Sequence, residues 1–203
     1  MIKTSETYMG KLKSRLAELV YSNVNNPQFS LFCYVREPSK VRKMLWVFAA
    51  KIIAGQMQTP QSLEDYFSEV RAASLKLLYA EFPNRLTNFL GKPDVVIMPV
   101  LISDEEFSPQ AISAAQNHKN TEWYLHELSA LVQVEHDKVT AWRRAQAFQS
   151  WQLGAYGLFG EKLDAILKPT ALNRPMPPGE KYEKLNFWWN LGLRESLPGS
   201  YKN

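Results

Sequence analysis

From Thr121 to Leu153 the chain runs for about 33 residues without a glycine or a proline, and no other stretch limits the fold as much. Tyr124, Leu128, Leu131, Trp142, Ala145, Phe148, Gln152 and Ala155 mostly step by three or four, the spacing that lines one face of a helix. Asn120 or Thr121 offers a side-chain oxygen to cap the first turn, and Glu122 sets a carboxylate at the positive end of the helix dipole. Glu135, His136, Asp137 and Lys138 interrupt the stripe for one turn. An unbroken helix of this length reaches about 50 Å at 1.5 Å per residue, whereas a compact chain of this size is about 40–45 Å across. The reading is a central strut with neighbours on several sides, met by Trp123, Leu125, Val134 and Trp151 off the main stripe; the alternative is a bend near Glu135 and His136.

Five further helices are expected around it. Residues 6–22 are amphipathic, with Tyr8, Met9, Leu12, Leu16, Leu19 and Val20 on one side and Lys11, Lys13, Arg15 and Glu18 on the other. Ser39 caps a helix whose buried face is Val41, Leu45, Phe48, Ala49, Ile52 and Ile53, stopped by Gly55. Thr59-Pro60 opens another through Leu63, Phe67, Val70, Ser74 and Leu78 to Glu81, with proline at its favoured first position. Ser108-Pro109 opens a short one through Ala115, and a minor turn of helix fits Asn84 to Leu90. Extended structure is expected at only two places. Gln28 to Arg36 is a short apolar run, and Val95 to Ile102 is rich in β-branched residues but contains Pro99, which removes a ladder donor and so marks an edge strand or an extended linker.

Glycines 154, 157 and 160 follow the long helix at a spacing of three; without a Gly-x-Gly doublet or a terminal Lys-Ser/Thr, they are read as close helix packing, not as a phosphate loop. After Lys168 the composition changes to Pro169, Pro175, Pro177, Pro178 and Pro198 with Tyr182, Phe187, Trp188, Trp189 and Tyr201. The prediction is therefore a mainly α, single-domain helical bundle around a long central helix at 1–168, with at most a small two-stranded β element. An extended, Pro/aromatic-rich C-terminal arm at 169–203 completes it.

Composition narrows the function classes. Apolar residues at 45% and charged residues at 22% are ordinary globular values. Cys33 is the only cysteine, so an intramolecular disulfide and a cysteine-rich zinc site are excluded, and a reducing, cytoplasmic setting is expected with Cys33 as a small buried hydrophobe. No apolar run approaches the 18 or so residues of a membrane span, and no signal peptide is read at the amino terminus. The net charge of +4 is uneven. Residues 1–60 hold nine Lys or Arg against three acids, 61–138 six against twelve, and 139–203 nine against five, so opposite blocks complement each other in the fold or a basic end meets an acidic partner.

No catalytic signature emerges. His118, His126 and His136 are read as solvated helix histidines, because Glu122 and His126 one turn apart lack the further ligands of a helical metal site. No metal and no cofactor is expected. Lys40, Arg42 and Lys43 before Trp46, and Arg143-Arg144 after Trp142, alternate cations with aromatics as a nucleic-acid surface requires. In the arm, prolines limit the entropy lost on docking while Tyr182, Phe187, Trp188, Trp189 and Tyr201 supply contact area. The expected function is thus a non-catalytic helical assembly or adaptor protein acting on a protein partner or on its own copy. A nucleic-acid accessory role through Lys40, Arg42, Lys43, Arg143 and Arg144 is the alternative, and an enzyme with an unrecognised site is the third.

The run from Ala147 to Tyr156, containing Trp151, Gly154 and Tyr156, is similar to a Trp-x-x-Gly-x-Tyr pattern in some bacteriophage tail-assembly chaperones. It covers about a twentieth of the chain and carries over neither a function nor a functional residue.

Overall fold

A mixed β-sheet organises this protein. The structure, a computed structural model, describes residues 4–18, 21–36, 44–82, 94–118, 125–141 and 167–174. Its strands are β1 (Ser22–Asn23), β2 (Leu31–Arg36), β3 (Met44–Ile52), β4 (Asp94–Ser103), β5 (Leu125–Glu127), β6 (Ala130–Gln133) and β7 (Lys138–Ala141), and its helices are α1 (Ser5–Glu18), α2 (Pro60–Glu81) and α3 (Pro109–Asn117). Among the described residues the sheet has seven strands in the order β1-β2-β3-β4-β6-β7, with β5 also on β4. Strands β3, β4, β5 and β6 are parallel, while the β1–β2, β2–β3 and β6–β7 pairs are antiparallel.

The expected helical bundle is thereby corrected to an α/β architecture. The apolar run at Met44–Ile52, expected as a helix, is β3, and it pairs along its length with both β2 and β4. A central parallel strand is covered on both faces and so reads as a continuous hydrophobic run; the same residues also satisfy helical spacing. Leu45, Val47 and Ala49 point to one face and Trp46, Phe48 and Ala50 to the other, all buried. The long central helix is likewise replaced within the described residues by β5, β6 and β7, and the charged run that seemed to interrupt it lies in the turn joining β6 to β7. There Asp137 takes a left-handed backbone (φ 47°), a conformation Asp tolerates in turns. The part of the expected strut from residue 142 onward lies outside the described residues, as do Ser39 and the Asn84–Leu90 turn.

Pro99 stands in the middle of the sheet and not at its edge. Strand β4 lies between β3 on one side and β5 and β6 on the other. Both β5 and β6 keep one register against β4, with Val95 opposite Leu125 and Val100 opposite Ala130. The ladder breaks only across Leu128 and Ser129. Leu128 N–H still donates to the Ile97 carbonyl at 2.8 Å; the next rung of a parallel ladder would run from residue 99 N–H back to the Leu128 carbonyl. Proline has no N–H to give it. One long strand is thus divided in two by the loss of a single donor.

The helices fall where their start signals place them. Thr59 caps α2 in a reciprocal capping box with Ser62, followed by Pro60, and Ser108 caps α3 by accepting from Ala111 N–H. Both cover the same sheet face, on which Leu63, Phe67, Val70, Ala111 and Ala115 meet Val47, Ile97, Leu101 and Leu131. Tyr66 is buried there with its hydroxyl 3.1 Å from the carbonyl oxygens of Ala49 and Val100, and burial raises its phenol far above the usual range. Helix α1 buries Tyr8, Met9, Leu12 and Leu16 on the opposite face, worth roughly 1.5–3 kcal/mol per large side chain. Leu167 and Leu172 join it; Tyr8 donates to the Leu167 carbonyl at 2.6 Å. Cys33 is buried in the same layer, and burial pushes its thiol up to about 12.

Gly55 follows β3 where the chain turns toward α2. Its N–H donates to Ser103 Oγ at 2.9 Å, and a Cβ there would stand 2.8 Å from that oxygen and 3.0 Å from the carbonyls of Glu105 and Glu106. Only glycine permits this approach. The crossovers through α2 and α3 both lie on one face and step in one direction along the sheet. The described parallel strands therefore have no reversal of order, the feature that opens a ligand crevice at strand ends in doubly wound folds.

Candidate functional site

A chain of four ionisable side chains crosses the helical layer instead. Glu64, Phe67 and Arg71 are spaced by three and four on α2, so they share the helix face turned toward α3 and the sheet. His118 comes directly after α3, and Glu127 ends β5. His118 Nδ1 lies 3.0 Å from Glu64 Oε1, and its Nε2 is hydrogen-bonded to Glu127 Oε2. Arg71 grips the same carboxylate twice, donating from Nε to Oε1 at 2.5 Å and from Nη2 to Oε2 at 3.1 Å. The imidazole packs on the Phe67 ring at 4.6 Å between centroids.

Burial grades along this chain. The side chains of Glu127 and His118 are 1% and 2% exposed, Arg71 is 30% exposed and Glu64 is 49% exposed. Burial alone would strip the proton from His118, but hydrogen bonds to Glu127 and Glu64 and their negative charges outweigh it and raise its pKa. For Glu127 burial again opposes the charge, while His118 and Arg71 outweigh it and hold its pKa below the ordinary value. With His118 protonated, two carboxylates face two cations and the set is neutral. That is the condition under which buried charges are tolerated.

Glu64 and His118 also line an open groove of about 800 Å³, walled by Pro60 of α2 and by Pro109, Gln110, Ser113 and Asn117 of α3. The starts of the two helices are pinned together beside it by Ser108 Oγ donating to the Gln58 carbonyl at 3.1 Å. No group of three or more His, Cys, Asp or Glu among the described residues is arranged to hold a metal ion.

None of the sequence-derived site residues falls in this cluster. Tyr182, Phe187, Trp188, Trp189 and Tyr201, and likewise Lys40, Arg42, Lys43, Arg143 and Arg144, lie outside the described residues. Trp46, expected to stack beside the first basic group, is 6% exposed within β3 and packs in the core facing α1. The reading of His118 as a solvated helix histidine is overturned, since it is buried beyond the end of α3 between two carboxylates. His136 sits half-exposed in the β6–β7 turn, 3.6 Å from Glu106. One sequence signal did point to the cluster: Glu127 lies inside the apolar run 124–134, and a carboxylate at an inward position of a strand requires a cationic partner. Which partner answers it depends on Arg71, 56 residues away along the chain.

Among the described residues no helix is long and apolar enough to cross a membrane. No family model matches the chain, and no curated protein compared with it is similar.

Proposed function

We propose that this protein works by binding another polypeptide, with the aromatic C-terminal segment as its docking element. The observation that carries this reading is the root of that segment. Residues Lys168–Arg174 lie along α1, where Arg15 donates to the Ala171 and Arg174 carbonyls, Lys11 donates to Asn173 Oδ1 at 2.5 Å, and Leu172 is buried. The segment holding Tyr182, Phe187, Trp188, Trp189 and Tyr201 therefore begins from a fixed point on the domain. Four prolines and five aromatic side chains in 175–203 are the composition of a preorganised contact surface.

The test uses the full-length chain and a variant carrying Phe187→Ala, Trp188→Ala and Trp189→Ala, compared by light scattering during size-exclusion chromatography and by urea unfolding. Association lost with the unfolding midpoint unchanged is the expected result. Association that survives the three substitutions refutes the reading, and a lowered midpoint assigns these aromatics to the domain core instead.

A further inference from the structure

We propose that the groove between α2 and α3 is a second site, one that takes a lysine or arginine side chain carried on an extended segment of a partner polypeptide, with Glu64 as the anchoring carboxylate. None of the residues that carry this inference belongs to the aromatic segment.

The first support is preorganisation. Glu64 is a half-exposed carboxylate, yet its Oε1 is held by a fully buried histidine, which is in turn oriented by Glu127 and, through it, by Arg71. Among the described residues its Oε2 has no hydrogen-bond partner, and Glu64 is one of the residues lining the groove. A surface carboxylate ordinarily loses side-chain entropy when it binds a cation; here the supporting shell has already fixed it.

The second support is local charge. The chain as a whole is +4, but among the residues lining the groove Glu64 supplies a carboxylate and none is lysine or arginine, and α3 carries no charged residue at all. The groove therefore offers a cation a carboxylate for which no lysine or arginine of its own walls competes.

The third is shape. Pro60 and Pro109 present flat apolar walls suited to the aliphatic stem of lysine or arginine. Gln110 and Ser113 offer polar atoms alongside, and a volume of about 800 Å³ exceeds a single side chain and leaves room for flanking backbone.

The site is tested on the full-length protein at low salt, by calorimetric titration with capped pentapeptides whose central residue is lysine, arginine, norleucine or glutamate, and with spermidine as a free polyamine. The lysine and arginine peptides should bind, and the norleucine and glutamate peptides should bind at least about tenfold more weakly, because a charge-assisted hydrogen bond is missing. Glu64→Gln should weaken the cationic peptides by about tenfold or more, while Glu69→Gln, outside the groove, should change them less than about twofold. In the wild-type chain the backbone amide resonances of Gln110, Ser113 and Asn117 should shift with the lysine peptide; this readout needs no substitution and holds even if Glu64→Gln misfolds. Equal affinity in Glu64→Gln, resonance shifts elsewhere only, or no binding by either cationic peptide overturns the site. Spermidine binding more tightly than the peptides overturns its assignment to a polypeptide.

Discussion

Replacing Glu127 with alanine removes the residue on which the ionic network converges. The carboxylate accepts from His118 and doubly from Arg71 while 1% exposed. Its loss takes an acceptor from two donors of different character. His118 is 2% exposed and cannot be rehydrated in place, whereas Arg71, 30% exposed, can recover water contacts. Removing one partner of a buried ion pair typically costs about 3–5 kcal/mol, and the partial exposure of Arg71 places this case near the lower end, about 3 kcal/mol. With a urea dependence of about 2 kcal/mol per molar, the unfolding midpoint should fall by about 1.5 M. The Arg71→Met substitution made in the Glu127→Ala background should then cost less than Arg71→Met alone, a coupling of about 1–3 kcal/mol in the double-mutant cycle. A midpoint shift under about 0.5 M, or strictly additive effects, would show that these groups do not act together.

Stability should also depend on pH in a way that His118→Gln abolishes. A histidine raised above its ordinary 6.5 contributes stability that is full below that value and is lost as pH rises through the folded pKa; Glu127, lowered from 4.5, contributes above 4.5 and loses it as pH falls. The wild-type advantage over the variant, followed by urea midpoint, should therefore peak between pH 4.5 and 6.5, and an advantage still rising above pH 8 would contradict the assignment. Gly55→Ala forces a Cβ to within 2.8 Å of Ser103 Oγ and 3.0 Å of two backbone carbonyls, and should lower stability by about 1–3 kcal/mol; a neutral result would mean that the turn relaxes freely. Tyr66→Phe should cost about 0.5–1.5 kcal/mol in the same assay, since it deletes the hydroxyl between the Ala49 and Val100 carbonyls. Pro99→Ala should alter stability by less than about 1 kcal/mol, as the gained hydrogen bond and the freer unfolded chain nearly cancel. Hydrogen exchange should reveal a newly protected amide at residue 99, and rapid exchange there would disprove the broken-ladder explanation.

Local chemistry by itself determined the helices that begin with a strong signal. Thr59-Pro60 and Ser108-Pro109 set the starts of α2 and α3, and the spacing of Tyr8, Met9, Leu12 and Leu16 marked the buried face of α1. The burial of Cys33 and the strand at Leu31–Arg36 were legible in the same way, from an apolar run bounded by polar residues. Only tertiary structure decided the rest of the sheet. Met44–Ile52 and Leu125–Gln133 are apolar at helical and at extended spacing alike, and a segment covered on both faces carries no periodicity that separates the two. What settles them is the neighbouring strand, which takes the backbone donors and acceptors a helix would satisfy internally. The sequence did contain a clue in Val132, Val134, Val139 and Thr140, β-branched residues on either side of a charged turn, but the helical spacing of the Tyr124, Leu128 and Leu131 stripe masked it. Pro99 misled for the same reason, since a missing donor marks an edge only where no other part of the strand is paired. The candidate site was the least legible, because Glu64, Arg71, His118 and Glu127 come from three separate stretches of chain. Their charges acquire meaning only where the fold removes water from between them.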